Sequence, residues 1–375
     1  MIWVLWLLAI AYALLTGMLL RAWRSLPDST GHKPPLQTGP GITVIIPVRN
    51  EAANLPRLLA DLTKQSYRSF SVIIADDAST DSTAALAQAY IEQAGYPLSV
   101  FTLADDPTVA SPKKRAIAQS IARTTSELIV TTDGDCRVGP HWLSSLAACY
   151  AQTGARLISG PVTFTTNTTV FGSLQTVEFA SLIGAGAATL AMGKPTMCNG
   201  ANLCYQKAAF EAVNGFAGVD HVASGDDELL MHKIAELYPS GVYFLKNQDA
   251  IVETAAHSSL GTFYHQRKRW AGKWRAYSSI FPSLLAVFVF LSNMTPVLAV
   301  GFWLAGTLPG HATLGIVLLK LLPEFLYLQT VLTFLRKRNA IRWIPLTQLI
   351  YPFYVLFFGL AAQKPGIVWK GRKLT

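Results

Sequence analysis

Apolar residues in this chain follow two regimes: long unbroken runs toward its ends and short punctuated runs in its middle. Residues 2–20 are uncharged and mainly apolar, and Arg21 and Arg24 follow them. A helix needs roughly 20 such residues to cross a bilayer. Charge after the run rather than before it predicts an uncleaved anchor over 1–24, starting outside with Arg21 inside. Pro, Gly and polar residues predict a linker over 25–41. From Ile42 the pattern changes. Ile42–Pro47 is a β-type run, and Asn54 opens a helix marked by Leu55, Leu58, Leu59 and Leu62. Ser71–Ala75 predicts a second strand ending in Asp76-Asp77, and Asp81 is placed to cap the next helix, which Gly95-Tyr96-Pro97 ends. A strand over Leu98–Leu103, a helix over Pro112–Ala122 and a strand over Glu127–Thr131, entering Asp133-Gly134-Asp135, continue the alternation. The expected fold class is therefore α/β: a domain over 42–255 on an open, largely parallel sheet, with its ligand at the strands' carboxyl ends.

The membrane pattern returns after residue 255. Residues 261–275 are basic and aromatic, which predicts a helix lying in the membrane interface within 256–279. Apolar runs near 281–306, 312–335 and 343–362 predict two or three membrane segments in a carboxyl-terminal region, 280–375. The first two form a plausible hairpin. Pro345 and Pro352 interrupt the third, and three crossings would put the basic tail Trp369–Lys373 outside, against the positive-inside tendency. The third run is either a crossing that defies that tendency or a re-entrant or surface-lying segment.

Composition agrees: 51% of residues are hydrophobic and 14% charged, against about 25% charged in soluble domains. The net charge of +9 does not imply nucleic acid. Most basic residues flank apolar segments, where anionic headgroups attract them, and no basic stripe interleaved with aromatics runs through the domain. Cys136, Cys149, Cys198 and Cys204 have neither metal-type spacing nor a disulfide framework, so they read as free thiols in a reducing compartment.

Four acidic or basic clusters carry candidate chemistry. Asp76-Asp77, at a strand's carboxyl end, is placed to hydrogen-bond a ring N–H or ribose hydroxyl. Asp133 and Asp135 are alternate carboxylates able to share Mg²⁺ or Mn²⁺ with a diphosphate. Asp226-Asp227-Glu228 puts more negative charge into a helix's first turn than its dipole requires, and a carboxylate there could take a proton from an acceptor hydroxyl. On a helix Gln266, Arg269 and Trp270 share a face, with Arg269 suited to pyrophosphate and Trp270 to stacking on an acceptor sugar or lipid. Lys113 and Lys114 are further candidates for diphosphate contact. Together these groups fit sugar transfer from a nucleotide donor. A single carboxylate base with no covalent nucleophile favours inversion at the anomeric carbon.

These residues resemble those of the inverting, GT-A-type family 2 glycosyltransferases, in the membrane-integrated branch with cellulose, chitin and hyaluronan synthases and ceramide glucosyltransferase. The likeness covers roughly residues 40–275. It implies a Rossmann-like GT-A sheet and assigns Pro47, Arg49, Asn50 and Glu51 to the loop lining the nucleotide site. It also implies that Asp77 contacts uracil of a UDP-sugar, Asp133 and Asp135 form the DxD metal motif, and Asp227, beside Asp226, is the catalytic base. Gln266-Arg267-Lys268-Arg269-Trp270 matches the family's QxxRW, which in relatives packs over the diphosphate and the acceptor's way in. Asn199–Leu203 resembles the loop bordering the acceptor, and Phe179–Met192 either shapes that surface or is a buried helix. The expectation is a single transfer to a lipid or lipid-linked acceptor by a multi-pass protein of the inner membrane, with its catalytic domain cytoplasmic. Processive synthesis of an extracellular or capsular polysaccharide is the alternative, and a homo-oligomer could supply additional helices for it. A catalytically inactive adaptor is disfavoured because Asp77, Asp135, Asp227 and Arg269 are all present.

Overall fold

β-branched residues dominate Ile42–Val48 and form the centre of Phe70–Asp76, and in the computed structural model both segments are buried parallel strands, with Val44 beside Val72. The structure describes residues 2–28, 36–106, 108–166, 168–272 and 281–361, with 363, 367–369 and 372–374. Part of the expected linker (29–35), the end of the expected interface helix (273–279) and Lys370-Gly371 of the tail lie outside the described residues. The chain forms two compact units: Met1–Ser25, Thr166–Gly184 and His257–Ile367, and Leu26–Thr165, Ala185–Ala256 and Val368–Thr375.

The second unit is an α/β layer structure. Its strands up to residue 254 are β1 (Ile42–Val48), β2 (Phe70–Asp76), β3 (Leu98–Thr102), β4 (Leu128–Thr131), β5 (Arg137–Val138), β6 (Leu157–Ser159), β7 (Val162–Phe164), β8 (Leu203–Gln206), β9 (Val242–Phe244) and β10 (Val252–Thr254). Seven of them form a sheet in the order β3-β2-β1-β4-β8-β6-β9, and β5-β10-β7 form a small second sheet. β1, β2, β3 and β4 pair in parallel, as expected, whereas β8 runs antiparallel to both β4 and β6. That reversal positions the site. Leu203, at the start of β8, pairs with Thr131, at the end of β4, so the residues before β8 arrive at the edge where β1, β2 and β4 end.

The helices are α1 (Ile2–Ser25), α2 (Leu55–Thr63), α3 (Thr83–Tyr90), α4 (Pro112–Ile121), α5 (Trp142–Thr153), α6 (Val170–Ala191), α7 (Lys207–Ala212), α8 (Glu228–Leu237), α9 (Leu260–Ala271), α10 (Phe281–Leu304), α11 (Gly310–Phe334) and α12 (Ile344–Ala361). Asn54 flanks α2 as expected. Ser82 rather than Asp81 occupies the cap position of α3, yet Asp81 still accepts the Thr83 N–H at 2.9 Å.

Five helices among the described residues are long and apolar enough to cross a membrane: α1, α6, most of α10, α11, and the stretch Arg338–Ala361 that ends in α12. This is a multi-pass membrane protein. Large apolar side chains such as Trp3, Leu7, Leu14, Leu284, Leu304, Leu314, Leu349 and Phe357 stay exposed, a surface suited to lipid. α6 differs, with about two-thirds of its most apolar stretch buried. α12 runs helical through Pro352, and Pro345 lies in its first turn, where a missing N–H costs little.

Within the first unit Leu5 and Ala9 of α1 pack with Ala299 of α10 and Ile316 of α11. A polar hub lies among these apolar contacts. The Glu324 carboxylate of α11 accepts from Tyr12 Oη of α1 at 3.1 Å, Lys320 Nζ at 2.5 Å and Gln348 Nε2 of α12 at 3.0 Å. Charge at this depth is tolerated only when partnered, and here it ties three helices in one register.

Candidate active site

The acidic clusters of the second unit meet at the sheet edge where β1, β2 and β4 end. Pro47 lies within β1, and the loop after it stitches itself to the loop after β2. Arg49 Nη1 donates to the carbonyls of Asp77 and Ala78 at 2.6 and 2.7 Å. Asn50, with φ of 52°, accepts the Thr80 N–H at 2.8 Å, and buried Glu51 accepts from Asn54 Nδ2 at 2.9 Å. Asp76 is turned into its own turn, accepting the N–H of Ser79 at 3.2 Å and its hydroxyl. Asp77, also buried, has Oδ1 held by Arg115 Nη2 at 3.2 Å. Arg115 was not anticipated. Its signal was the run Lys113-Lys114-Arg115, of which only the lysines suggested a ligand contact.

Asp133 and Asp135 follow β4. Lys113 Nζ joins Asp133 Oδ1 at 2.7 Å to Asp226 Oδ2 at 3.1 Å, linking two clusters distant in sequence. Burial opposes the lysine's charge, but the carboxylates of Asp133 and Asp226 outweigh it and raise its pKa. Asp135 Oδ2 accepts from Thr254 Oγ1 at 3.3 Å. Ligand atoms of Asp133, Asp135 and Cys136 lie within 4.8 Å of one another. Burial first, then Asp135 and Asp133, push the Cys136 thiol well above its ordinary pKa. Of these three groups the two carboxylates are the hard oxygen donors that suit Mg²⁺ or Mn²⁺, whereas a thiol is a soft one.

Lys114 is placed differently from Lys113. It is buried, and its ammonium donates to the carbonyls of Val219, Val222 and Ser224 rather than facing a ligand.

The third cluster is also rearranged relative to expectation. α8 begins at Glu228, so Asp226 and Asp227 precede its first turn instead of filling it. Asp227 is the N-cap: Oδ1 accepts the Glu228 N–H at 2.7 Å and Oδ2 accepts the Gly200 N–H at 3.0 Å. Gly200 belongs to the turn Asn199–Asn202 that β8 delivers to this edge. Its carbonyl accepts from Thr131 Oγ1 at 2.8 Å, and Asn202 is fixed by Trp142 Nε1 at 2.9 Å. A methyl at position 200 would lie 2.9 Å from Asp226 Oδ2, 3.4 Å from Lys113 Nζ and 3.5 Å from Asp227 Cβ, so a side chain there would press on the Asp226 carboxylate.

Gln266, Arg269 and Trp270 lie on α9 in the first unit. Ser259 caps this helix by accepting the Thr262 N–H. Helical spacing singled out Arg269, yet the buried arginine is Arg267. Its guanidinium meets Glu178 of α6 through Nη2–Oε2 at 2.6 Å and Nε–Oε1 at 3.1 Å, and donates to the Gln266 side-chain carbonyl. Tyr354 Oη of α12 donates to the same Glu178 at 2.9 Å. Arg267 also lies over the rings of Phe263 and Trp270, at 4.6 and 4.3 Å, while Trp270 stacks on Phe179 with centroids 6.0 Å apart. The Glu178-Phe179 pair thus receives Arg267 and Trp270 together.

The family described as glycosyl transferase family 21 matches residues 1–375. Glycosyltransferase AglE of Haloferax volcanii is 31% identical over 130 residues, covering 34% of this chain and 41% of that protein. Poly-beta-1,6-N-acetyl-D-glucosamine synthases of Staphylococcus aureus are 25% identical over 258 residues, covering 66% of this chain and 58% of theirs. The chain spans about half the length of these curated relatives. Among solved structures, the mannosyltransferase PcManGT from Pyrobaculum calidifontis, in complex with GDP-Man and Mn²⁺, superposes with a TM-score of 0.61 at 18% identity, covering 93% of this chain and 97% of that one. That likeness establishes a GT-A, Rossmann-like fold.

Proposed function

The chain belongs to glycosyl transferase family 21, and from that premise we propose that it moves a sugar from a nucleoside-diphosphate donor to a hydroxyl acceptor at the cytoplasmic face of a membrane. The observation that carries this reading is the convergence of Asp77, Asp133, Asp135, Asp226 and Asp227 at one sheet edge, where Lys113 bridges Asp133 to Asp226 and Arg115 holds Asp77. In this reading Asp77, an acceptor of hydrogen bonds, reads a base edge bearing an N–H donor, as uracil and guanine do. Asp133 and Asp135 hold a divalent cation, which supplies positive charge to the departing diphosphate. Lys113 adds an ammonium at the same place. Asp227 takes the proton of the acceptor hydroxyl as that oxygen bonds to the anomeric carbon and the bond to the diphosphate breaks, with inversion. Gln266, Arg269 and Trp270 are assigned to the membrane-side substrate surface on the resemblance to QxxRW.

The acceptor is the point on which the comparisons move the reading. The staphylococcal synthases match through 66% of this chain, which favours stepwise addition to a growing saccharide over a single lipid glycosylation. Kinship with family 2 membrane synthases rests on the same likeness. Purified protein in lipid vesicles, given UDP- and GDP-sugars, lipid extract and Mn²⁺, is expected to release nucleoside diphosphate and yield a ladder of product masses. EDTA should abolish both. One glycolipid mass would restore the single-transfer reading, and no nucleotide release from any donor would overturn sugar transfer.

Gly200→Ala probes the packing of the edge. Displacing Asp226 or Asp227 by a few tenths of an ångström is expected to lower kcat about 10-fold, short of the ~100-fold that follows a 1 Å misplacement. Initial rates decide this, and a wild-type rate would mean that the turn yields without cost.

A further inference from the structure

Lys113 and Lys114 both lie in the first turn of α4, where the helix dipole disfavours cations. Lys113 offsets that cost with two carboxylates. Lys114 has a different arrangement. Its side chain is 2% exposed, and its ammonium donates to the carbonyls of Val219 at 2.6 Å, Val222 at 2.8 Å and Ser224 at 3.1 Å. An ammonium has three N–H donors, and a buried one is tolerated only when they are engaged. All three carbonyls belong to one short segment that ends at Gly225, whose φ of 82° turns the chain directly into Asp226-Asp227. Beyond this fastening the segment carries exposed Asp220 and His221.

We propose that Lys114 is a positioning residue, which straps the segment 219–224 to α4 and thereby fixes where Asp226 and Asp227 stand. The inference rests on the assignment of Asp227 as the base. α4 then organises the edge with consecutive residues: Lys113 holds the carboxylates of Asp133 and Asp226, Lys114 holds the segment leading to Asp227, and Arg115 holds Asp77. A role confined to packing would be met by an apolar side chain of similar length. Three carbonyls converging on one ammonium instead define the height at which the segment crosses the helix end.

The test is a separation of kcat from donor affinity in the full-length protein in lipid vesicles. Lys114→Met keeps the length and removes every donor, and Lys114→Gln keeps two donors without the buried charge. Lys114→Met is expected to lower kcat about 10- to 100-fold while the dissociation constant for the nucleotide donor stays within about threefold of wild type, and Lys114→Gln should fall between. An unchanged kcat in Lys114→Met, or a donor affinity that falls in step with kcat, overturns the proposal. Failure of both variants to fold also overturns it, because Lys114 is then a structural residue. Asp227→Asn is assayed alongside. If it is inactive while Lys114→Met is normal, the positioning role alone falls; if it turns over normally, the base assignment falls and takes the strap's purpose with it.

Discussion

Asp227→Asn is expected to lower kcat by roughly 10²- to 10⁴-fold, the range general base catalysis contributes, while nucleotide donor binding persists. The substitution is conservative for the fold, since Asn caps helices about as well as Asp and can still accept the Glu228 N–H at the start of α8. Its effect is on chemistry and on one contact. The amide has no site for the acceptor's proton, and its NH₂ group would face the Gly200 N–H that Oδ2 now accepts. Donor binding is expected to persist because Asp77, Asp133 and Asp135 sit on the loops after β2 and β4. Single-turnover assays with radiolabelled donor separate the two quantities. Turnover within threefold of wild type would remove Asp227 from the role of base.

The second large effect is on stability. Arg267→Ala leaves Glu178 buried in α6 without its guanidinium, and breaking one side of a buried ion pair costs about 3–5 kcal/mol. On the scale of a 150–250-residue domain that lowers the midpoint of thermal unfolding by roughly 6–20 °C. The variant also removes the guanidinium from over Phe263 and Trp270. Replacing both partners, Glu178→Gln with Arg267→Met, is expected to recover much of the loss, since no uncompensated charge remains. Thermal unfolding in detergent measures both. A midpoint within 2 °C of wild type for Arg267→Ala would show that the pair contributes little.

Local pattern made β1, β2 and β4 legible, because each is an apolar β-branched run that stops at a polar loop, and the acids just past their ends were readable as one site for the same reason. The antiparallel entry of β8 was not legible: Leu203–Gln206 is a short strand whose direction is set by partners in β4 and β6. Gly200 therefore looked like part of a loop, and its contacts with Asp226 and Asp227 were hidden. The burial of Arg267 on α9 was not legible for a related reason. Spacing along one helix groups Gln266, Arg269 and Trp270, but burial is decided by Glu178, 89 residues upstream of Arg267. Lys114 shows the same limit. Its neighbours 105 to 110 residues downstream, rather than its own helix, decide that it serves carbonyls.

The hub at Glu324 bears on how this protein is made. Tyr12 and Glu324 are 312 residues apart. At the ~5–20 residues per second of protein synthesis, α1 waits roughly 15–60 s before its phenol can find that carboxylate. During this interval α1 sits in lipid without α11 or α12, and the α/β unit can complete its seven-stranded sheet while attached to an unassembled bundle. Closure of the helices is thus a late event in the life of the nascent chain. Truncation anywhere before Glu324 leaves the first helix without the partner that gives its Tyr12 a register.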